Sequence, residues 1–463
     1  MKVDERLFHG ETATLRQRAV QILGAAVAAA DPGRAVHRTV HRHGEQLRVD
    51  GATYALSEIR RVLVIGAGKA SARMAVALEE ILDERIAEGL VTTKRGYLES
   101  LRHITLAEAG HPLPDAAGEA GARRIADLAA QATREDLVFV LISGGGSALL
   151  PVPASGIILE EKIATTDLLL RSGATITEMN MVRKHLSAVK GGQLARMAAP
   201  ARVVTLVLSD VLGNPLDAIA SGPTVPDPTT FEEALDVVDR FKLRAEVPAS
   251  VRRHLEEGAA GRVPETPKPG DPAFKTTQTV IVGDIQMAAA AAVERAEALG
   301  YRTQLCGTTV EGEAREVGAR FGAMVRDARP DRGPIGVCLV MGGETTVIVR
   351  GSGRGGRNQE LALGAAPVIA GLPQTLIVAF GTDGTDGPTE AAGAVVDGTT
   401  LDRASVRGLD HTAALANNDA YRFFDALDDL IISGPTNTNV NDLWVGLVGP
   451  AHTTRPLSSE RSP

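Results

Sequence analysis

Short apolar runs that end at glycine-rich loops and lead into helical patterns constrain this chain more than any other feature. Arg61–Ile65 is such a run; Gly66-Ala67-Gly68 ends it, and Lys69–Leu82 follows with helical periodicity. Leu137–Ile142 ends in Ser143-Gly144-Gly145-Gly146-Ser147, and Val203–Leu208 ends in Ser209-Asp210. Apolar runs that do not alternate mark strands covered on both faces, and strands alternating with helices give a mainly parallel sheet. An amphipathic helix over 12–30 precedes this pattern. After residues 264–272, which hold four prolines, the pattern restarts with strand Thr279–Val282, helix Gln286–Leu299 and strand Val337–Met341. A hairpin partner Thr345–Val349, a helix near Asn358–Ile369 and strand Leu376–Phe380 come next, and the last apolar run, Leu443–Val448, can join either sheet.

The 463 residues exceed the roughly 250–300 at which single cores stop growing, so two domains are expected. The fold class is α/β, each domain a mainly parallel, Rossmann-like sheet with helices on both faces. An N-terminal domain covers 1–263, a proline-rich linker 264–276, a C-terminal domain 277–450 and a disordered tail 451–463.

Charge excludes some partners. Lys plus Arg total 49 against 57 Asp plus Glu, a net charge of −8, which leaves no general basic face for nucleic acid or an anionic membrane. Aromatic residues are 3%, poor material for base stacking. Cys306 and Cys338 lie in apolar runs without metal spacing or a disulfide framework. His37, His41 and His43 sit among Arg38 and Arg42 and read as solvated surface rather than a metal cluster. No apolar run nears the roughly 20 residues that span a bilayer, and the start lacks a secretory pattern, so a cytoplasmic protein is expected.

Ligands of open α/β sheets bind beyond the carboxyl ends of the strands, where five loops of this chain fall. In Gly66-Ala67-Gly68-Lys69-Ala70-Ser71, glycines let backbone amides approach an anion beside a lysine. A dinucleotide loop would have Gly or Ala at 71 and an acid near Thr92-Thr93-Lys94, and a Walker loop would have Ser or Thr at 70; neither pattern is met. Ser143-Gly144-Gly145-Gly146-Ser147 reads as a nest of N–H donors for a carboxylate or phosphate. Asp210 is either a helix cap or a site acid, and Arg183 and Lys190 on a nearby helical segment are within reach of an anionic substrate. Gly351-Ser352-Gly353-Arg354-Gly355-Gly356-Arg357-Asn358-Gln359-Glu360 delivers two arginines to a helix start, where cations sit poorly without an anionic partner. Gly381-Thr382-Asp383-Gly384-Thr385-Asp386-Gly387 offers two acids suited to Mg2+ or to proton abstraction. Together these loops hold the inventory of phosphoryl transfer.

In this order the loops closely resemble the MOFRL-type, or class II, glycerate 2-kinases. The matching stretches include Val64–Ala72, Gly110–Asp115, Ser143–Leu149, Asn180–Gly192, Leu208–Asp227, Gly342–Thr346, Gly355–Leu363, Gly381–Gly387 and Gly434–Leu443. The resemblance implies two α/β domains with the active site in their cleft, and phosphorylation of (R)-glycerate at its 2-hydroxyl using ATP and Mg2+. The family's lysine falls on Lys69 and its arginine on Arg357; both would stabilise the transferring group. Asp383 or Asp386 would hold Mg2+ or orient the hydroxyl. Gly66, Gly68, Ser71, Ser143, Gly144, Gly145, Gly146, Ser147, Arg183, Lys190, Asp210, Gly355 and Gly356 would bind substrate or phosphate. The partners expected are glycerate and ATP, without nucleic acid or membrane, and a homo-oligomer is compatible with this reading. The rival readings are an NAD(P)-dependent hydroxypyruvate reductase and a non-catalytic sensor of sugar acids.

Overall fold

The computed structural model describes residues 3–328 and 335–450, and the chain forms two compact units. One is Asp31–Asp284; the other joins Met1–Ala30 to Ile285–Pro463. The tail expected over 451–463 lies outside the described residues. Among the described residues, no helix is long and apolar enough to cross a membrane.

The first unit is built on six parallel strands. Their order across the sheet is Ile104–Ala109, Ile86–Lys94, Arg61–Ala67, Asp136–Ile142, Arg202–Leu208 and Thr277–Gly283. Every residue of Asp136–Ile142 is buried, as a continuous apolar run covered on both faces requires. In chain order the strands read 3-2-1-4-5-6, so the direction of winding reverses between Arg61–Ala67 and Asp136–Ile142. The loops leaving these two strands lie at this switch point, the place where ligands of open α/β sheets bind. Helices Leu159–Arg171, Ile176–His185, Phe231–Arg240 and Ala249–Ala259 add a satellite core around Leu169, Val182, Phe231, Val237 and Leu255.

The second unit has a mixed sheet where a mainly parallel one was expected. Its order is Tyr301–Leu305, Gly336–Thr346, Asp442–Val448, Thr375–Gly381, Gly393–Asp397 and Leu430–Ile431. Asp442–Val448 returns antiparallel between Gly336–Thr346 and Thr375–Gly381, which settles the placement left open by the sequence. The expected hairpin Thr345–Val349 does not form. Gly336–Thr346 instead runs on past Gly342-Gly343 because its end pairs in parallel with Val310–Glu313.

The unit boundaries also differ from the expected linker. Residues 264–272 are packed into the first unit: the Asp227 amide donates to Pro267 O at 2.9 Å, and the buried Thr266 hydroxyl donates to Asp227 at 3.0 Å. Prolines forbid a regular ladder but not packing. The strand after them, Thr277–Gly283, completes the first sheet.

Helix Ala13–Ala29 belongs to the second unit. Its Arg16 is fully buried, donating to Asp397 at 2.6 Å, Asp429 at 2.7 Å and the Thr12 hydroxyl at 3.1 Å. Burial acts to raise the Asp397 carboxyl, but the Arg16 guanidinium overrides it and holds that carboxyl below the usual range. Arg16→Met leaves two buried carboxylates short of their principal cation, and a broken buried network typically costs about 3–5 kcal/mol. We expect a correspondingly lower urea midpoint, followed by fluorescence of Trp444, the chain's single tryptophan, buried in the same unit. An unchanged midpoint would show that the network contributes nothing net.

Candidate active site

The loops at the switch point of the first sheet interlock through backbone and hydroxyl contacts. The Lys69 amide donates to Gly144 O at 2.9 Å and the Ala70 amide to Ser143 Oγ at 3.0 Å. Ser71 Oγ donates to Leu141 O at 3.1 Å and lies 3.0 Å from Ser143 Oγ. Ser71 and Ser143 are therefore buried scaffolding, not the phosphate ligands expected, because their hydroxyls are consumed between the two loops. Gly66 likewise lies inside the strand, opposite the backbone of Leu141. At Gly68 the approach is closest: a Cβ there would come within 2.0 Å of Ser143 Oγ.

Other groups of the candidate site stand around this interlock. Gly145 has φ +82°, and a Cβ on it would meet the His111 ring at 2.9 Å and Lys69 Cγ at 3.3 Å. Lys69 thus runs along Gly145 beside His111. Burial, then Lys69 and Lys94, push the His111 imidazole down to about 4, so it is neutral at physiological pH. Asp210 lies against Gly144, where a Cβ would sit 2.0 Å from its Oδ2. Asp210 is therefore an acid at the nest.

Ser147 is the centre of a directed hydrogen-bond chain. Its hydroxyl accepts from Arg183 at 2.6 Å and from Lys190 at 3.2 Å, so its own hydrogen points to Ser221 Oγ at 2.9 Å. Ser221 in turn donates to Asn180 Oδ1 at 3.3 Å. Lys190 also donates to Ser147 O at 2.9 Å and to Ala220 O at 3.4 Å. These bonds hold Ala220 and Ser221 at φ 50° and 60°, a strained left-handed pair of the kind found at ligand sites. Burial lowers both Arg183 and Lys190, and neither forms an ion pair with a described carboxylate. The structure thus gathers Lys69, Gly144, Gly145, Gly146, Ser147, Arg183, Lys190 and Asp210, and adds His111, Asn180 and Ser221. His111 was visible only as part of Gly110–Asp115, without a role.

In the second unit, Arg357 begins the helix Arg357–Ile369. Its Nη1 donates to Glu344 at 2.7 Å, its Nη2 to Asp442 at 3.1 Å, and its Nε lies 2.6 Å from the other Asp442 oxygen. Burial pushes the Asp442 carboxyl up to about 7, with Arg357 opposing. Glu344 and Asp442 lie in stretches the sequence marked as distinctive, but only the fold turns them onto one guanidinium. Gly355 packs against Ala420 and Gly356 against the Asp386 carboxylate.

Asp386 is not the metal ligand or catalytic acid expected. Its two oxygens accept the Asn358 amide at 3.0 Å and the Gln359 amide at 2.9 Å, so it caps the Arg357 helix while 2% exposed. Asp383 stays partly exposed, with one oxygen accepting from the Thr385 amide at 3.0 Å. No cluster of three or more His, Cys, Asp or Glu among the described residues forms a metal cage. Asp386→Ala is expected to cost about 1–2 kcal/mol in the Trp444-reported unfolding, as cap removal does, and Asp386→Asn less. The Mg2+ concentration for half-maximal activity stays unchanged in the Asn variant; a marked rise would restore a metal role.

Residues 18–256 match the DUF4147 model, a domain of unknown function, and residues 337–442 match the MOFRL family. The chain is 44% identical to the glycerate 2-kinase of Pyrococcus horikoshii, the match covering 94% of this chain and 97% of the relative. It is 41% identical to the D-glycerate 2-kinase of Thermotoga maritima, covering 94% and 99%. The crystal structure of a glycerate kinase from Thermotoga maritima superposes with a TM-score of 0.84 at 40% identity, over 94% of this chain and 99% of the other. With this identity along nearly the whole of both chains, the protein belongs to the MOFRL-type glycerate 2-kinase family.

Proposed function

We propose that the chain transfers the γ-phosphoryl group of ATP to the 2-hydroxyl of (R)-glycerate, releasing ADP and 2-phosphoglycerate. One observation carries this reading. Lys190, buried, and Arg183, partly buried, neither ion-paired with a described carboxylate, converge on Ser147 at the winding reversal of a parallel sheet, beside the glycine nest. A small anion compensates such charges, and the substrate carboxylate is that anion.

The carboxylate, held by Arg183 and the Gly144-Gly145 amides, leaves the adjacent 2-hydroxyl as the oxygen presented for reaction, which favours it over the 3-hydroxyl. A bond forms from that oxygen to the γ-phosphorus, the bond to the ADP oxygen breaks, and the hydroxyl proton passes to solvent. Lys69 offsets charge on the transferring group. Neutral His111 adds a hydrogen-bonding group there without further positive charge. In the second unit, Glu344 and Asp442 fix the Arg357 guanidinium, which suits the planar oxygens of a phosphoryl group. Mg2+ typically takes one or two carboxylates together with nucleotide phosphates, and Asp383 is the partly exposed acid that fits it; the ion would supply charge neutralisation there. Use of ATP agrees with a cytoplasmic location.

The reductase reading finds no support in the first sheet. The Ile86–Lys94 strand ends in Lys94 rather than in an acid for a ribose, and the Ser71 hydroxyl fills the place a dinucleotide loop leaves bare. Lys69→Ala and Arg357→Ala are each expected to lower kcat by about 10²–10³ while folding is retained. Phosphorus NMR of the wild-type product is expected to show 2-phosphoglycerate. NADH consumption with hydroxypyruvate, and no ADP from glycerate, would overturn the assignment; 3-phosphoglycerate would overturn the anchoring alone.

A further inference from the structure

The hydrogen-bond chain that starts at Ser147 ends on a side chain with one half unused. Asn180 stands on helix Ile176–His185, three residues before Arg183, so both side chains lie on one face of that helix. A reciprocal cap between Thr175 and Glu178 fixes the helix start. Lys184 ties the helix to the segment carrying Ser221, through Asp217 at 2.9 Å and Asp227 at 3.2 Å. Asn180 therefore meets Arg183 and Ser221 in a place set by the fold.

Its carboxamide can face them in one way only. Arg183 Nη1 donates to Asn180 Oδ1 at 3.3 Å, and a guanidinium has no acceptor to offer. Ser221 receives the Ser147 hydrogen and passes its own to the same Oδ1 at 3.3 Å. Both neighbours are donors, so the oxygen is turned to them and the amide nitrogen away. Asn180 is 7% exposed, yet its Nδ2 has no acceptor among the described residues and is not sealed from solvent. Buried amides are normally bonded at both ends, so a donor left open here calls for an acceptor from outside the chain.

The neighbours define that acceptor. Nδ2 shares its carbon with Oδ1, and Oδ1 touches the guanidinium proposed to hold the substrate carboxylate. With the carboxylate there and the 2-hydroxyl committed to the phosphoryl group, the third carbon of the acid is left to be placed. The Ser147 and Ser221 hydroxyls are already spent along their chain. A neutral N–H suits a neutral oxygen, and the 3-hydroxyl supplies one.

We infer that Asn180 determines substrate specificity: its Nδ2 donates to the 3-hydroxyl of the bound acid, favouring glycerate over a 2-hydroxy acid of the same length that ends in a methyl group. This rests on the proposed glycerate reading. The methyl acid covers the amide without pairing it, and a donor left unpaired on burial is penalised beyond the bond it loses.

The test is calorimetric titration of the full chain, with Mg2+ and ADP present, by (R)-glycerate and by (R)-lactate, alongside ADP release from glycerate and ATP. The wild type is expected to bind glycerate about tenfold or more tighter than lactate. In Asn180→Ala, and in Asn180→Leu, which keeps the side-chain shape, that ratio is expected to fall to within about twofold of unity. Damage to the carboxylate anchor alone weakens both acids alike, so the ratio separates specificity from a structural role. Equal binding of the two acids by the wild type, a ratio kept in a folded variant, or failure of both variants to fold overturns the inference. A ratio that collapses in the variants while the wild type releases no ADP from glycerate overturns the kinase reading and supports the 3-hydroxyl contact. No binding of glycerate overturns both.

Discussion

The contact on which the first unit's chemistry depends is the meeting of two backbones at the winding reversal of its sheet. Gly68 lies so close to Ser143 that no side chain fits between them, and the Ser143 hydroxyl bridges to the next loop through the Ala70 amide. That interlock decides where Lys69 emerges, why Gly145 must adopt a left-handed conformation beside His111, and where Ser147 presents its hydroxyl. The serines that lock the loops are lost as ligands. In exchange the amides and cations around them are held in place before any substrate arrives, which is the condition for charge stabilisation without reorganisation.

The two units handle their partly or fully buried cations in opposite ways. In the second, Arg357 is clamped by Glu344 and Asp442, so its charge is offset within the fold and its orientation is set. In the first, Arg183 and Lys190 rest, among the described residues, on hydroxyl, side-chain amide and backbone carbonyl oxygens, and Lys184, one residue along from Arg183, takes the carboxylates. Unpaired ammonium and guanidinium groups draw an anion strongly, since a buried charge gains most from its first partner.

Acids that look alike in the sequence are divided by their surroundings. Asp383 and Asp386 are three residues apart in one glycine-rich loop, yet Asp386 turns inward to cap the Arg357 helix and Asp383 stays at the rim. Asp210 meets the nest, and Asp217 is taken by Lys184. A carboxylate becomes a cap, an ion-pair partner or a site acid according to which amides and cations the fold brings within about 3 Å of it.

The sequence by itself determined the strands and the loops that end them. Short continuous apolar runs bounded by glycines read as strands covered on both faces, and the glycines at their ends as sites of close approach or unusual backbone. Arg61–Ala67, Asp136–Ile142, Arg202–Leu208 and Thr375–Gly381 were legible for that reason, as were Lys69 and the nest through Ser147. Long-range pairing was not legible. Asp442–Val448 could have joined either sheet, the prolines over 264–272 read the same whether packed or free, and helix Ala13–Ala29 gave no sign that Arg16 would bury itself between Asp397 and Asp429. Nor could it show that Ser71, Ser143 and Asp386 are spent on holding the backbone, or that Glu344 and Asp442 close on Arg357. Local pattern depends on which side chains recur along the chain. These outcomes depend on which distant polar groups are left without water and must find each other, and only the tertiary structure decides that.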